Sequence, residues 1–243
     1  MFQPQNPELA LKPLDCLASL VSRISEGKLH DVGSPDCAEE KPNRRDHSAT
    51  VAAEKGAEIL ILNAFESVLP AQGAIYCSGP ITSGPLALKW ADLRGIQNVD
   101  VDLLPEGEKQ EFQAEVVEVN KRNLFEAAER LRMETGEVVI NPAAMPHCNG
   151  WPQSQWRELW CTVIERYVFS VIVLEGWAYS KGAVYEVSIA FRKGLKVATI
   201  DHKTLDVITA QQEIAEAASN LKARGMDVTL YEKVLAEVSR LQK

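Results

Sequence analysis

Residues Leu174–Glu186 read LEGWAYSKGAVYE. An apolar run, Val168 to Leu174, precedes them with the composition of a buried strand. VYEVSIAFRKG follows, a helical pattern that stops at Gly194. A strand therefore feeds a short Ser/Gly turn, and a helix opens with Glu186 in its second turn. Open α/β sheets place ligands at such turns. The first N–H groups of the helix, at Gly182 and Ala183, favour an anion. Ser180 is a good helix cap, and Gly182 lets a ligand approach the backbone. On local sequence alone, an ordinary helix cap with no ligand is the plainer reading of Ser180. Helical side chains lean toward the N-terminus, so Glu186 is expected to reach back toward the strand ends, beside the stripe Ala183, Val187, Ala190 and Phe191. The helix dipole and nearby N–H groups are expected to keep it ionised, as a nucleophile or base requires. An exposed helix glutamate is the plain alternative.

Working outward, strand and helix signals alternate from about Ala71 to His202. GAIYCSGP is a short apolar run ending in Gly-Pro. NKRNLFEAAERLRMETG places Leu124, Ala127, Ala128 and Leu131 at helical spacing and stops at Gly136. EVVINP is a strand, SQWRELWCTVIERYV a helix with Trp156, Trp160 and Ile164 on one face, and LKVATID a strand. This alternation predicts a parallel sheet with helices on both faces. The acidic segment Thr82 to Glu118 interrupts it and is expected to form an insertion or lid near the end of the first strand.

The chain divides into three zones. Residues 1–72 read as an N-terminal helical extension: an amphipathic pattern from Leu9 to Ile24, a polar linker, and a second helical pattern from Ala52 to Leu69. Residues 73–203 form the α/β domain. Residues 204–243 are a helical appendage, broken at Gly225, that either packs on the domain or forms a dimer seam.

The 243 residues carry a net charge of −8, which argues against a general nucleic-acid binder but permits a bound nucleotide. Five cysteines without CxxC or metal-ligand spacing read as reduced thiols, and no metal site is expected. No apolar run approaches the roughly 20 residues of a membrane span, and the N-terminus lacks the pattern of a signal peptide. A cytoplasmic protein is expected.

Other residues fall on the same sheet edge. Tyr76 ends the first strand before Ser78-Gly79-Pro80, placed either to hydrogen-bond a carboxylate across the crevice or to pack in the core. Asn141-Pro142 ends the second strand, so the loop Ala143 to Trp151, with His147, is expected beside the crevice. Trp177 and Tyr179 either stack on a base or cover the sheet end. The spacing of SGPITSGP is not that of a GxGxxG dinucleotide fingerprint.

IYCSGPIT, VVINPA, the Trp-rich helix, IVLEGWAYSKGAVYE and LKV together resemble the nucleoside 2-deoxyribosyltransferase superfamily, most closely an uncharacterised branch in bacteria and phage. The resemblance spans about Ala74 to Thr199. It implies a flavodoxin-like sheet of about five strands and cleavage or transfer at an N-glycosidic bond, without metal or redox cofactor. It assigns Glu186 as nucleophile and Tyr76 as the tyrosine that orients it. Ser180 and Gly182 match the sugar- or phosphate-binding turn, Ser78 and Gly79 the first loop; Asn141 and Trp177 are further substrate-binding candidates. The implied partner is a nucleoside or nucleotide, and a homo-oligomer is compatible with the helical tail. The chain departs from the family at Phe169, where relatives carry an aspartate that binds substrate or handles the proton of the leaving base. Glu175 and His147 are the remaining candidates for that proton. A binding module without catalysis, and a nicotinamide-dinucleotide glycohydrolase, are the alternatives.

Overall fold

The computed structural model describes residues 47–97, 99, 101–145 and 151–242. The Leu9–Ile24 pattern, the linker up to residue 46 and His147 lie outside these residues. Four strands, β1 (Ala74–Ser78), β2 (Val138–Ile140), β3 (Val168–Val173) and β4 (Lys196–Thr199), pair in the order β2-β1-β3-β4. All three pairings are parallel. About five strands were expected; four are present among the described residues.

Helices α1 (His47–Val68), α2 (Pro85–Leu93), α3 (Glu106–Phe112), α4 (Glu118–Thr135), α5 (Gln153–Tyr167), α6 (Lys181–Arg192), α7 (Val207–Ala223) and α8 (Thr229–Val238) surround the sheet. Side chains alternate along β1. Ile75 and Cys77 pack with Leu124, Ala128 and Leu131 of α4 on one face. Tyr76 joins the larger cluster on the other face, with Phe65 of α1, Trp160 and Ile164 of α5, and Val187 of α6. Helices thus cover both faces, as the alternation in the sequence predicts.

The chain leaves β1 for β2 on one side and later runs from β3 to β4 on the other. The strand order therefore reverses between β1 and β3. A crevice opens at such a switch point, outside the carboxyl ends of the two strands. Ser78 is paired with Val173, so both strands end together there.

The segment Thr82 to Glu118, expected as an insertion or lid, carries much of its length in helices among the described residues. Helices α2 and α3 and a π-helical turn, Gln113–Val117, bury Ala87, Trp90, Phe112, Val116 and Val117 in a small cluster of their own. The segment is rooted at the crevice by two prolines. Gly176 has φ +76°, and a Cβ there would lie 2.3 Å from Cδ of Pro85. Gly84 has φ +90°, and its Cβ would lie 2.7 Å from Cβ of Pro80. The Asn120 amide donates to the carbonyls of Ile81 and Ser83, holding the same root from α4.

The C-terminal helices pack on the chain's own domain. Ala210, Ile214, Ala217 and Leu221 of α7, and Tyr231, Val234 and Val238 of α8, are buried in the same cluster as the sheet. Ile214→Ala should accordingly destabilise the whole domain by about 2–5 kcal/mol. Urea denaturation should show a single transition at lower midpoint; an early separate transition of the last helices would contradict their place in the common core.

Candidate functional site

Alternation along β1 puts Tyr76 and Ser78 on the face that carries α6. On α6, Glu186 points back over its own first turn toward the strand ends, as expected from helical geometry. The three side chains meet. The Tyr76 hydroxyl donates to Oε1 of Glu186 at 2.8 Å, and the Ser78 hydroxyl donates to Oε2 at 2.6 Å. Each carboxylate oxygen therefore receives one hydroxyl.

Tyr76 satisfies both readings made of it: it is fully buried and it binds the carboxylate. Its ring meets Trp160 edge-on, with centroids 6.0 Å apart, which fixes the phenol laterally. Burial, followed by the neighbouring Glu186 charge, raises its pKa well above the usual tyrosine value, so it stays a donor. Ser78 is also fully buried.

The electrostatics of Glu186 differ from the expectation. Its residue surface is only partly covered, yet its carboxyl lies deep enough that desolvation is the dominant influence and raises its pKa. The hydroxyls of Ser78 and Tyr76 oppose that rise. The groups favouring the anion are thus two side-chain donors rather than the N–H groups of the helix start. The amide of Ala183 is instead engaged by the Ser180 hydroxyl, which accepts from it at 3.3 Å.

Ser180 therefore acts as the cap of α6. Gly182 has a different character. A Cβ at 182 would meet nothing nearer than the Ser180 hydroxyl at 3.8 Å, an ordinary contact. No intramolecular packing demands glycine there, although glycine in a helix costs roughly 1 kcal/mol relative to alanine. Gly79 is the reverse: a Cβ would lie 3.2 Å from Leu174 and 3.3 Å from Leu124, so close packing of β1 and α4 accounts for it.

Asn141 follows β2 at the same edge, is buried, and caps the short turn Pro142–Ala144 by accepting from the Ala143 amide at 3.0 Å. Trp177 does not open onto the crevice as a stacking surface. It is 3 % exposed, and its indole donates to Oε2 of Glu213 on α7 at 2.7 Å. Of the two roles considered for it, the structure displays the covering one. Tyr179 is half-buried and its hydroxyl accepts from the Asn220 amide at 2.8 Å.

Phe169 is placed far from this group. Ala74 pairs with Val168 and Ile75 with Ser170, so Phe169 is the extra residue of a bulge at the start of β3. It is exposed, and Val173 lies four residue steps further along the strand, on the order of 13 Å away. An aspartate at 169 would lie at the opposite sheet edge from Glu186, so phenylalanine there removes no group from beside the carboxylate. Glu175 is exposed just beyond β3.

Sequence reasoning missed Cys161 of α5, Trp160 as the support of Tyr76, and Glu213. Cys161 lies within electrostatic reach of both Tyr76 and Glu186, and burial with the Glu186 charge pushes its thiol up to about 12. The helical stripe Trp156, Trp160, Ile164 was a signal for Trp160; nothing local pointed to Glu213. Cys77 and Cys161 are free thiols, and the described residues contain no cluster of side chains able to hold a metal ion. No described helix is long and apolar enough to cross a membrane.

A separate cleft of about 370 Å³, including its open mouth, is lined by Thr82, Ser83, Leu88, Tyr179, Leu221 and Met226 among others. It lies between the insertion and α7, and Glu186, Tyr76 and Ser78 are not part of its wall.

The segment that carries Asn141, the turn and Glu186 has a counterpart among known families. Residues 115–199 match a family described as a domain of unknown function, DUF4406. The match covers about a third of the chain, from the π-helical turn to the end of β4, and leaves β1 outside. No curated protein and no solved structure matches the chain.

Proposed function

We propose that the protein cleaves or transfers the N-glycosidic bond of a nucleoside or nucleotide through Glu186. The observation that carries this reading is the carboxylate at the sheet's switch point, held by one hydroxyl on each oxygen. The resemblance to the nucleoside 2-deoxyribosyltransferase superfamily points the same way. The strand order β2-β1-β3-β4 is compatible with a flavodoxin-like sheet.

In this reading an oxygen of Glu186 attacks C1′ of the sugar. The new C–O ester bond forms as the C1′–N bond breaks, and the bonding pair leaves with the base, which takes up a proton from solvent water. Water or a second base then attacks C1′ and frees the carboxylate, giving net retention. Tyr76 and Ser78 fix both oxygens, and their hydrogen bonds favour the anion that attacks. Gly182, free of intramolecular packing, leaves room for a sugar or phosphate at the start of α6.

Tyr76→Phe and Ser78→Ala each remove a donor that lowers the Glu186 pKa. In either variant that pKa should rise further, and the acid limb of the rate profile should move to higher pH. Activity at neutral pH should fall about 10- to 100-fold, as expected for a hydrogen bond to a charged group. An unshifted acid limb in both variants would contradict the assignment of that limb to Glu186.

Burial works against the charged form of Glu186, the form that attacks, and this favours a second reading, a module that binds a nucleotide without cleaving it. One screen separates the two. Nucleosides, their monophosphates and nicotinamide dinucleotide are incubated with the protein, and free base or nicotinamide is measured by chromatography. Base release lost in Glu186→Gln supports the enzyme. Ligand-dependent thermal stabilisation with no released base supports the binding module.

A further inference from the structure

The turn before α6 and the first residue of that helix are held by three side-chain contacts that the proposed chemistry does not use. Trp177 donates to Glu213 at 2.7 Å, Asn220 donates to Tyr179 at 2.8 Å, and Lys181 donates to Asp227 at 2.9 Å. The partners advance by two residues along the turn and by seven along α7 and the loop beyond it. Seven residues are close to two helical turns, so Glu213 and Asn220 lie on one face of α7.

These contacts are not what fastens α7 to the domain. Ile214, Ala217 and Leu221 already bury its apolar face in the core. The first contact is the most constrained. Trp177 is 3 % exposed, and a buried indole N–H left without an acceptor is costly. Glu213 keeps partial exposure, and its carboxylate turns inward to meet the indole. Trp177 and Lys181 bracket Ser180, which caps α6, and Glu186 follows five residues after Lys181. Because α6 is a continuous helix, a shift of its first turn displaces Glu186 relative to Tyr76 and Ser78. Hydrogen bonds of 2.6 and 2.8 Å tolerate little such displacement.

We infer that α7 is a splint for the site and that Glu213 is a positioning residue, acting through Trp177 on the placement of Glu186. The inference rests on the reading of Glu186 as the reacting group, but its geometric core is testable without turnover.

The experiment compares Glu213→Leu and Glu213→Gln in the full chain. Carbon-13 NMR follows the pH titration of the Glu186 carboxyl, identified by the signal lost in Glu186→Gln, and base release is measured in parallel. Glu213→Leu should displace the Glu186 titration and lower kcat by about 10-fold or more, with KM little changed, as misplacement of a reacting group does. Glu213→Gln keeps a carbonyl acceptor for the indole and should restore both. Trp177→Phe tests the same bond from its donor side, keeps an aromatic ring in the core, and should reproduce the Glu213→Leu titration. A Glu186 titration unchanged in Glu213→Leu and Trp177→Phe, or moved equally by Glu213→Gln, would overturn the inference. The second outcome would mark the loss of charge, not of position, as the cause. A wild-type protein that releases no base while its Glu186 titration follows the expected pattern overturns the N-glycosidic reading alone and leaves the splint supported.

Discussion

Replacing Glu186 with glutamine is expected to abolish base release, by on the order of 10⁴-fold or more, as loss of a nucleophile does. The fold should survive. Glutamine has the same shape, and its amide can donate to the hydroxyl oxygen of Tyr76 or Ser78, each of which accepts as well as donates. The variant's stability relative to the wild type should grow as pH rises. Burial raises the folded pKa of Glu186 above its unfolded value, so the folded chain holds the proton more tightly than the unfolded chain. The corresponding contribution to stability is fully present below the ordinary glutamate pKa of about 4.3 and is lost as pH rises through the folded value. Glutamine never becomes charged. The melting temperature of Glu186→Gln should therefore match the wild type in acid and exceed it increasingly toward neutral pH. Undiminished base release in this variant would refute the nucleophile assignment. A melting difference that shrinks with rising pH would refute the burial argument.

Gly176→Ala is expected to be the most destabilising single methyl added to the crevice. Two costs combine there. An L-residue held at φ +76° loses about 1–2 kcal/mol. The new Cβ would also sit 2.3 Å from Cδ and 2.8 Å from Cγ of Pro85, a ring with little freedom to move, and overpacking of this kind costs about 1–3 kcal/mol. The sum is roughly 2–5 kcal/mol, read as a lower midpoint in urea. Gly136→Ala is the matched comparison. Gly136 has φ +72° and nothing within 4 Å of its virtual Cβ, so it isolates the backbone cost. Equal losses in the two variants would show that Pro85 does not press on the turn. Loss of substrate binding in Gly176→Ala is expected as well, because Gly176 opens the turn that leads to Ser180 and α6.

Much of this architecture was legible before the structure. GAIYCSGP, EVVINP, VFSVIVL and LKVATI are apolar runs of strand length with turn residues after them, and each became a strand. The backward lean of helical side chains aimed Glu186 at the strand ends, while its pairing with Tyr76 was implied by the family resemblance. What stayed hidden depends on tertiary choice. The pattern in α7 gave an apolar face but not the surface it would cover. The aromatic character of Trp177 suited a ligand and a core equally, and Glu213 decided between them from 36 residues away. The groups that act on the Glu186 carboxyl were hidden for a related reason. A helix start suggests N–H donors, but desolvation depends on how much protein closes over the carboxyl, and no local pattern encodes that.

The alternation along β1 has one more consequence. Ile75 and Cys77 serve one layer of the molecule while Tyr76 and Ser78 serve the other, so four consecutive residues carry two interleaved messages. Adding or deleting a single residue in this strand would exchange them, turning two hydroxyls into the packing under α4 and a thiol and an isoleucine toward Glu186. A length change in this strand therefore disturbs both layers at once, whereas a point substitution disturbs one. Homologous chains that differ in activity should differ at these positions in side-chain identity, with the indels displaced into the Thr82–Glu118 segment downstream.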